Sequence, residues 1–152
     1  MKVLFVCTAN ICRSPVAEHY LRRLVERIGP HAVEIASTGT HAVSGLPSDG
    51  IAARLAADRG CDLAQHRSKP MLPQDVLAAD RIVVMERRHR QFFAENYPEA
   101  LPKVQLLLAG PDGTGGRDLA DPTGGTMSDY RRCFDQLFDA IERMALSFRF
   151  PQ

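Results

Sequence analysis

A short apolar segment followed by a cysteine, five further residues, an arginine and a serine constrains this sequence more than any other feature. Residues 2–6 are rich in Val, Leu and Phe, which is typical of a buried β-strand, and the polar residues after Cys7 suit a turn. Ser14 and Pro15 then match a helix start, where a capping hydroxyl precedes a proline at the first helical position. The sequence therefore begins with a predicted strand, loop and helix.

Strand and helix patterns alternate along the rest of the chain. Further strands are predicted at residues 33–37, 81–85 and 104–108, and helices at residues 48–59 and 87–97. The first helix is expected to stop at Gly29-Pro30. Apolar residues at helical spacing mark a long closing helix: Tyr130, Cys133, Phe134, Leu137, Phe138, Ile141, Ala145 and Phe148.

This alternation predicts the fold class. Strands that alternate with helices form a parallel sheet that is covered on both faces. We therefore expect a single domain over residues 1–152, of the α/β class, with three α/β/α layers and a central parallel sheet of four strands. Two long loops, at residues 39–50 and 110–127, follow predicted strands, and in such sheets ligands bind where strands end and helices begin.

The segment from Cys7 to Arg13 has the chemistry of an anion site. A loop wrapped at a helix N-terminus turns backbone N–H groups inward, and the helix dipole adds positive potential, which together suit phosphate. The same field favours the thiolate form of Cys7 and hence a nucleophile. Arg13 adds a planar guanidinium that binds two phosphate oxygens. Ser14 either caps the helix or donates a hydrogen bond to the Cys7 sulfur.

Other interpretations of these residues are weaker. Cys7 and Cys12 are spaced more widely than the usual zinc pair, and no second Cys/His pair with ligand spacing occurs in the sequence, so no metal site is expected. The basic run at residues 87–90 fits a contact surface for an acidic partner, but it is interpreted first as a solvated helix face. Asp121 precedes Pro122 in the second long loop, where it fits both an ordinary turn and a general acid, and the residues alone leave the two open.

Four stretches of the sequence resemble the low-molecular-weight protein tyrosine phosphatases, most closely the bacterial branch. These stretches are VLFVCTANICRSP near the N-terminus, STGT at 37–40, DLAQHR at 62–67 and DP at 121–122. They occur in the family's order over essentially the whole chain. The first of them is highly specific to this family and its near relatives.

The resemblance implies a role for each matching residue. Cys7 is the nucleophile, Arg13 the phosphate clamp and Asp121 the general acid. Cys12 matches a second loop cysteine that forms a reversible disulfide with the nucleophile under oxidation. The phosphate loop comprises Thr8, Ala9, Asn10, Ile11, Cys12 and Arg13, and its supporting hydrogen-bond network comprises Asn10, Ser14, Ser37 and His66.

The substrate wall is where the sequence departs from the family. Family members commonly place one or two tyrosines after the Asp-Pro pair, but this chain has Thr123 and Gly124. The opposite wall falls near Val43, with His41 close by, where relatives often carry a larger side chain. Stacking on an aromatic substrate is therefore expected to be weaker than in the family.

The predicted activity is hydrolysis of phosphotyrosine and aryl phosphates through a cysteinyl-phosphate, without a metal or other cofactor. The expected partner is a phosphotyrosine protein, and the resemblance adds a tyrosine autokinase of polysaccharide export as a candidate. Because 19 basic and 18 acidic side chains nearly balance, no nucleic-acid partner is expected. No apolar run could span a membrane, so a cytoplasmic protein, monomeric or weakly dimeric, is expected.

Three rival functions share parts of this pattern. A thioredoxin-coupled arsenate reductase needs two resolving cysteines after the third strand, and residues 85–97 contain none. A sugar-transport phosphocarrier must keep its phosphocysteine without hydrolysing it, and the presence of Arg13 argues against this function. A non-catalytic phosphotyrosine-binding or redox module would have no need of Asp121.

Overall fold

The computed structural model of the protein describes residues 1–27 and 33–149. Four parallel strands form one sheet: β1 (Lys2–Cys7), β2 (Glu34–Gly39), β3 (Arg81–Val84) and β4 (Val104–Leu106). Their order across the sheet is β2-β1-β3-β4, so β1 is central. The predicted sheet of four parallel strands is confirmed. The predicted stop of the first helix at Gly29-Pro30 lies outside the described residues.

In the described part of the chain, five α-helices surround the sheet: α1 (Arg13–Glu26), α2 (Gly50–Asp58), α3 (Pro73–Ala78), α4 (Arg87–Asn96) and α5 (Met127–Arg149). A 3₁₀-helix at Pro98–Lys103 leads into β4. The sequence patterns did not predict α3, because this helix has only six residues and buries only Val76, which is too little for a helical period to be visible.

Alternate residues of β1 enter two separate cores. Val3 and Phe5 pack with α1, α2 and α5 on one face of the sheet. Leu4 and Val6 pack on the other face with residues of α3 and α4 such as Phe93. Full burial of each large apolar side chain contributes roughly 1.5–3 kcal/mol, so both faces fix the orientation of the central strand. The predicted three-layer architecture is confirmed.

Two strands end earlier than predicted: β3 ends at Val84 rather than at residue 85, and β4 ends two residues early. β4 ends at Leu106 rather than at residue 108, because the backbone N–H of Ala109 donates to the Leu106 carbonyl at 3.1 Å and turns the chain. The segment after β4 then runs back along the edge of the sheet. There the N–H of Leu119 donates to the Met85 carbonyl, just beyond β3, at 2.8 Å.

The two long loops meet the phosphate loop at the carboxyl edge of the sheet, as predicted. The first of them begins where β2 ends, at Gly39, whose missing side chain leaves room for the phosphate loop. A Cβ atom added there would lie only 2.5 Å from the carbonyl oxygen of Thr8. Among the described residues, no helix combines the length and apolar character needed to cross a membrane.

Candidate active site

The phosphate loop connects β1 to α1 and carries its carbonyl groups on the outside. The Cys7 and Thr8 carbonyls accept hydrogen bonds from the N–H groups of Thr40 and His41, both at 2.9 Å. The Ile11 carbonyl accepts from the Asp49 N–H at 2.7 Å. Within the described residues, the N–H groups of residues 8–12 donate to no other protein group. With the carbonyls held outward, these amides are free to bind an anion at the start of α1.

Asn10 holds the loop in its curved shape. It is the only non-glycine residue in the described chain with a positive φ, 57°, a conformation that asparagine tolerates better than most residues. Its Nδ2 donates to Ser14 Oγ at 2.8 Å and to Ser37 Oγ at 2.9 Å. Its Oδ1 accepts from the Lys69 N–H at 3.0 Å, and its carbonyl accepts from His66 Nε2 at 2.8 Å. The structure thus brings together all four residues predicted to support the loop.

Cys7 lies at the end of β1, where its Sγ is 2.9 Å from Ser14 Oγ. This contact favours the second of the two roles predicted for Ser14, since no side-chain hydrogen bond caps α1, whose N-cap residue is Cys12. Burial, followed by the negative fields of Cys133 and Asp49, raises the pKa of the Cys12 thiol well above its usual range. Cys12 is therefore a neutral thiol next to the proposed nucleophile.

Arg13 is almost fully buried at the bottom of the site. Its Nη1 donates to Glu86 Oε2 at 2.8 Å and to the Leu119 carbonyl at 2.6 Å, while its Nη2 lies 3.8 Å from Asp121 Oδ2. Burial alone would lower the pKa of Arg13, but the fields of Cys7, Glu86 and Asp121 raise it above its ordinary value. The guanidinium is thus permanently charged and fixed in direction, as an oxyanion clamp requires.

Asp121 lies at the mouth of the site, and its side chain is 39% exposed. Its Oδ1 accepts a hydrogen bond from the N–H of Thr123 at 3.0 Å. The carboxylate predicted as the general acid therefore also closes the Asp-Pro turn, so the two interpretations of Asp121 are compatible. Burial tends to raise the pKa of Asp121, but the Thr123 hydrogen bonds and Arg13 lower it overall. The sequence alone could not show that Asp121 lies close to Arg13.

Two residues that support the site, Glu86 and His89, were not predicted from the sequence. Glu86 is the carboxylate partner of Arg13, and burial, which would raise its pKa, is outweighed by hydrogen bonds from Arg88 and Arg13 that lower it. His89 Nδ1 accepts the Glu86 N–H at 3.1 Å, and this assigns the ring proton to Nε2, which donates to Thr8 Oγ1 at 2.8 Å.

The interpretation of residues 87–90 as a solvated helix face is therefore wrong for His89, which is 2% exposed. Burial, followed by the field of Arg13, lowers the pKa of His89 to about 4. A signal was available in the sequence, because His89 precedes the buried Phe93 by four residues and so lies on the same helix face.

The predicted substrate wall is only partly assembled. Thr8, His41 and Phe92 help to line a cleft of about 450 Å³ beside the phosphate loop. The His41 ring meets Phe92 edge to face, with ring centroids 5.7 Å apart. Val43 is 65% exposed and is not part of this lining. Thr123 lines a different cleft, together with Asp121. Phe92 is the aromatic group of this cleft, and the sequence did not predict it.

The comparisons with known proteins agree with this geometry. A sequence model described as low molecular weight phosphotyrosine protein phosphatase matches residues 2–149. The protein-arginine-phosphatase of Geobacillus stearothermophilus is 35% identical over 144 residues, which cover 95% of this chain and 93% of the relative. The chain therefore belongs to the low molecular weight phosphotyrosine protein phosphatase family.

Two solved structures are similar over nearly the whole chain. The tyrosine phosphatase Wzb from Escherichia coli K30 in complex with sulphate has a TM-score of 0.85 at 29% identity, with 97% of each chain covered. A mutant of the arginine phosphatase YwlE with a phosphorylated active-site serine has a TM-score of 0.90 at 28% identity, with 100% of this chain and 98% of the other covered. Both confirm the α/β fold.

Proposed function

We propose that this protein hydrolyses phosphotyrosine in proteins, with Cys7 as nucleophile, Arg13 as phosphate clamp and Asp121 as general acid and base. The observation that carries the proposal is the position of Arg13, whose Nη1 is held by Glu86 and Leu119 while its Nη2 lies 3.8 Å from Asp121. A clamp and an acid therefore meet at the loop that carries Cys7. The two similar structures, one in complex with sulphate and one with a phosphorylated active-site serine, support an oxyanion and a covalent phosphoryl group at such a site.

The first step transfers the phosphoryl group to sulfur. The thiolate of Cys7 attacks phosphorus in line, and an S–P bond forms while the P–O bond to the tyrosine ring breaks. Asp121 gives its proton to the departing oxygen. Arg13 and the inward amides of the phosphate loop stabilise the charge on the equatorial oxygens, which is the task that Mg²⁺ performs in kinases.

The second step releases phosphate. The carboxylate of Asp121 takes a proton from a water molecule that attacks the same phosphorus, and the S–P bond breaks. The hydroxyl of Ser14, 2.9 Å from Cys7 Sγ, donates to the leaving thiolate. Because Asp121 must be protonated in the first step although its pKa is lowered in the free protein, activity should be highest on the acid side of neutral. The bound phosphate dianion raises that pKa in the complex.

The test is hydrolysis of p-nitrophenyl phosphate and of a phosphotyrosine peptide in the presence of a metal chelator. Cys7→Ser should abolish turnover, whereas Cys61→Ser, which removes another buried thiol, should preserve it. Asp121→Asn should slow turnover by roughly 10²–10⁴-fold, most strongly for poor leaving groups, and should remove the fall in rate above the pH optimum. Full activity of Cys7→Ser would contradict the proposal.

Phosphoarginine is a second candidate substrate. The relative from Geobacillus stearothermophilus is named as a protein-arginine-phosphatase, and Thr123 takes the place where an aromatic wall for a tyrosine ring would stand. A flexible guanidinium chain needs no such wall, and the carboxylate of Asp121 could accept its N–H groups. The ratio of kcat/KM for matched peptides phosphorylated on Tyr or on Arg distinguishes the two, and a ratio in favour of Arg would overturn the tyrosine assignment.

A reversible disulfide between Cys7 and Cys12 is a further part of this proposal. A peroxide oxidises the Cys7 thiolate to sulfenic acid. The Cys12 sulfur then attacks the Cys7 sulfur while the Cys12 proton passes to the departing hydroxyl group, which leaves as water. A cellular dithiol restores both thiols.

We also propose a bacterial cytoplasmic setting and a tyrosine autokinase as physiological partner, as in the family.

A further inference from the structure

A group of three potential metal ligands lies behind the phosphate loop, apart from the proposed catalytic residues. Glu18 and His19 are neighbours on α1, and His66 lies in the segment between α2 and α3. One ligand atom of each lies within 4.8 Å of those of the other two. Glu18 Oε2 is 3.8 Å from His19 Nε2, and the rings of His19 and His66 meet edge to face, with centroids 6.1 Å apart.

Two of these side chains already have the outer hydrogen bonds that metal ligands usually have. His66 Nε2 donates to the Asn10 carbonyl at 2.8 Å, so the free lone pair of this ring is on Nδ1. Glu18 Oε1 accepts the Ser37 hydroxyl at 2.5 Å, which leaves Oε2 to face His19. A histidine that binds a metal almost always donates its other N–H to a carbonyl or carboxylate, which fixes the tautomer and the ring orientation.

From this arrangement we propose that Glu18, His19 and His66 bind a divalent transition-metal ion of the zinc type. Two imidazoles and one carboxylate form a donor set that suits Zn²⁺, with water in the fourth position. Ligands at about 2.0–2.2 Å from the ion lie roughly 3.5 Å apart, so atoms of the group that are now up to 4.8 Å apart must approach by up to about 1.3 Å. His19 is the half-buried member of the group and can supply most of this movement.

Arg22 is the competitor for this site. Its Nη2 donates to Glu18 Oε2 at 2.6 Å and to the Ile35 carbonyl at 2.8 Å. A metal ion at Oε2 must displace the first of these contacts but not the second. The affinity of the site is therefore reduced by Arg22, and removal of the guanidinium should tighten metal binding.

The site is linked to the phosphate loop through His66, although it takes no part in the proposed chemistry. The imidazole that would bind the ion on Nδ1 holds Asn10, the residue with positive φ, through Nε2. A metal bound to Nδ1 withdraws electrons from the ring and makes Nε2–H a stronger donor. Because only the folded chain assembles the site, metal binding should also raise the temperature of unfolding.

The test is calorimetric titration of Zn²⁺ into the full chain in a Cys7→Ser background, which removes the thiolate as a competing ligand. We expect one equivalent of Zn²⁺ to bind. His19→Asn should weaken this binding by at least about tenfold, and Arg22→Met should tighten it. His41→Asn, which changes an exposed histidine outside the group, should leave it unchanged.

Circular dichroism without metal establishes that His19→Asn is folded before the titrations are compared. His19→Asp serves as a second variant, because it replaces one ligand type by another and should bind Zn²⁺ more weakly than the parent but more tightly than His19→Asn. Absence of binding in the parent, equal affinity in His19→Asn, or no gain in Arg22→Met would overturn the proposal. None of these outcomes affects the proposed phosphatase activity, which does not depend on this site.

Discussion

Asn10 determines the shape of the phosphate loop. Its positive φ turns the chain so that neighbouring carbonyls point outward, and its side chain joins the loop to Ser14 on α1 and Ser37 on β2. All three side chains are fully buried, and an unpaired buried polar group costs about 1–3 kcal/mol. The network is therefore both a structural requirement and the means by which the anion site is organised before substrate binds.

Thr123 sets how firmly an aromatic substrate is held. Thr123→Tyr should restore one aromatic wall beside Asp121 and lower KM for a phosphotyrosine peptide by roughly 2- to 10-fold, because aromatic pairs contribute about 0.5–1.5 kcal/mol. Steady-state kinetics with that peptide is the measurement. Thr123→Leu is the matched control, since it adds apolar area without a ring and should change KM less. Equal KM values in all three proteins would show that no ring contacts residue 123.

At the residue scale, prediction from sequence succeeded where partners are close in the chain. Cys7 and Arg13 are brought together by one loop, so their spacing in the sequence is enough to predict that they lie in the same site. Glu86 pairs with Arg13 across 73 positions, and no local pattern reports such a contact. Asp121 is an intermediate case. The Asp-Pro turn could be predicted from the sequence, but the direction in which the turn points the carboxylate depends on the path of a long loop.

The turn from β3 into α4 supports the phosphate loop from the side opposite to Asn10. Glu86 binds Arg13 from this turn, and His89 binds Thr8 from the first turn of the helix. The N–H of Arg87 donates to Asp118 Oδ1 at 2.8 Å, which joins the same turn to the segment that carries Asp121. One short element thus positions groups on three sides of the site.

His89 should make stability depend on pH. Its pKa is about 4 in the folded protein against an ordinary value of 6.5, so between these values the unfolded chain binds more protons. Its stabilising contribution is complete above pH 6.5 and is lost as pH falls towards 4. The full difference is on the order of 3 kcal/mol.

Urea unfolding at about pH 7 and about pH 4.5 measures this effect. His89→Asn should be less stable than the parent at neutral pH, but its free energy of unfolding should fall less on acidification. His41→Asn, at an exposed histidine, should keep the parent's pH dependence. An unchanged pH dependence in His89→Asn would show that His89 is not held neutral by burial.

At the element scale, the sequence predicted the strands and the long helices, because their apolar periods extend over several residues. It missed α3, which buries one side chain, and placed the end of β4 two residues too late. Both errors arise where hydrogen bonding by the backbone, rather than the pattern of side chains, decides the structure.

For the whole molecule, the sheet order places every proposed catalytic group at one edge. Because β1 is central, its carboxyl end is flanked by the loops after β2 and β3, and the segment after β4 crosses the same edge. A local anion site can therefore form in a chain whose formal net charge is only +1. This convergence was predictable from the alternation of elements, although the individual contacts were not.

In the proposed mechanism, Cys7 carries the phosphoryl group during turnover. Mass spectrometry of peptides from enzyme quenched in acid during hydrolysis of p-nitrophenyl phosphate tests it directly. We expect one phosphoryl group on the peptide that contains Cys7, with neither this adduct nor turnover in Cys7→Ala. A phosphoryl group on another residue, or steady turnover by Cys7→Ala, would contradict it.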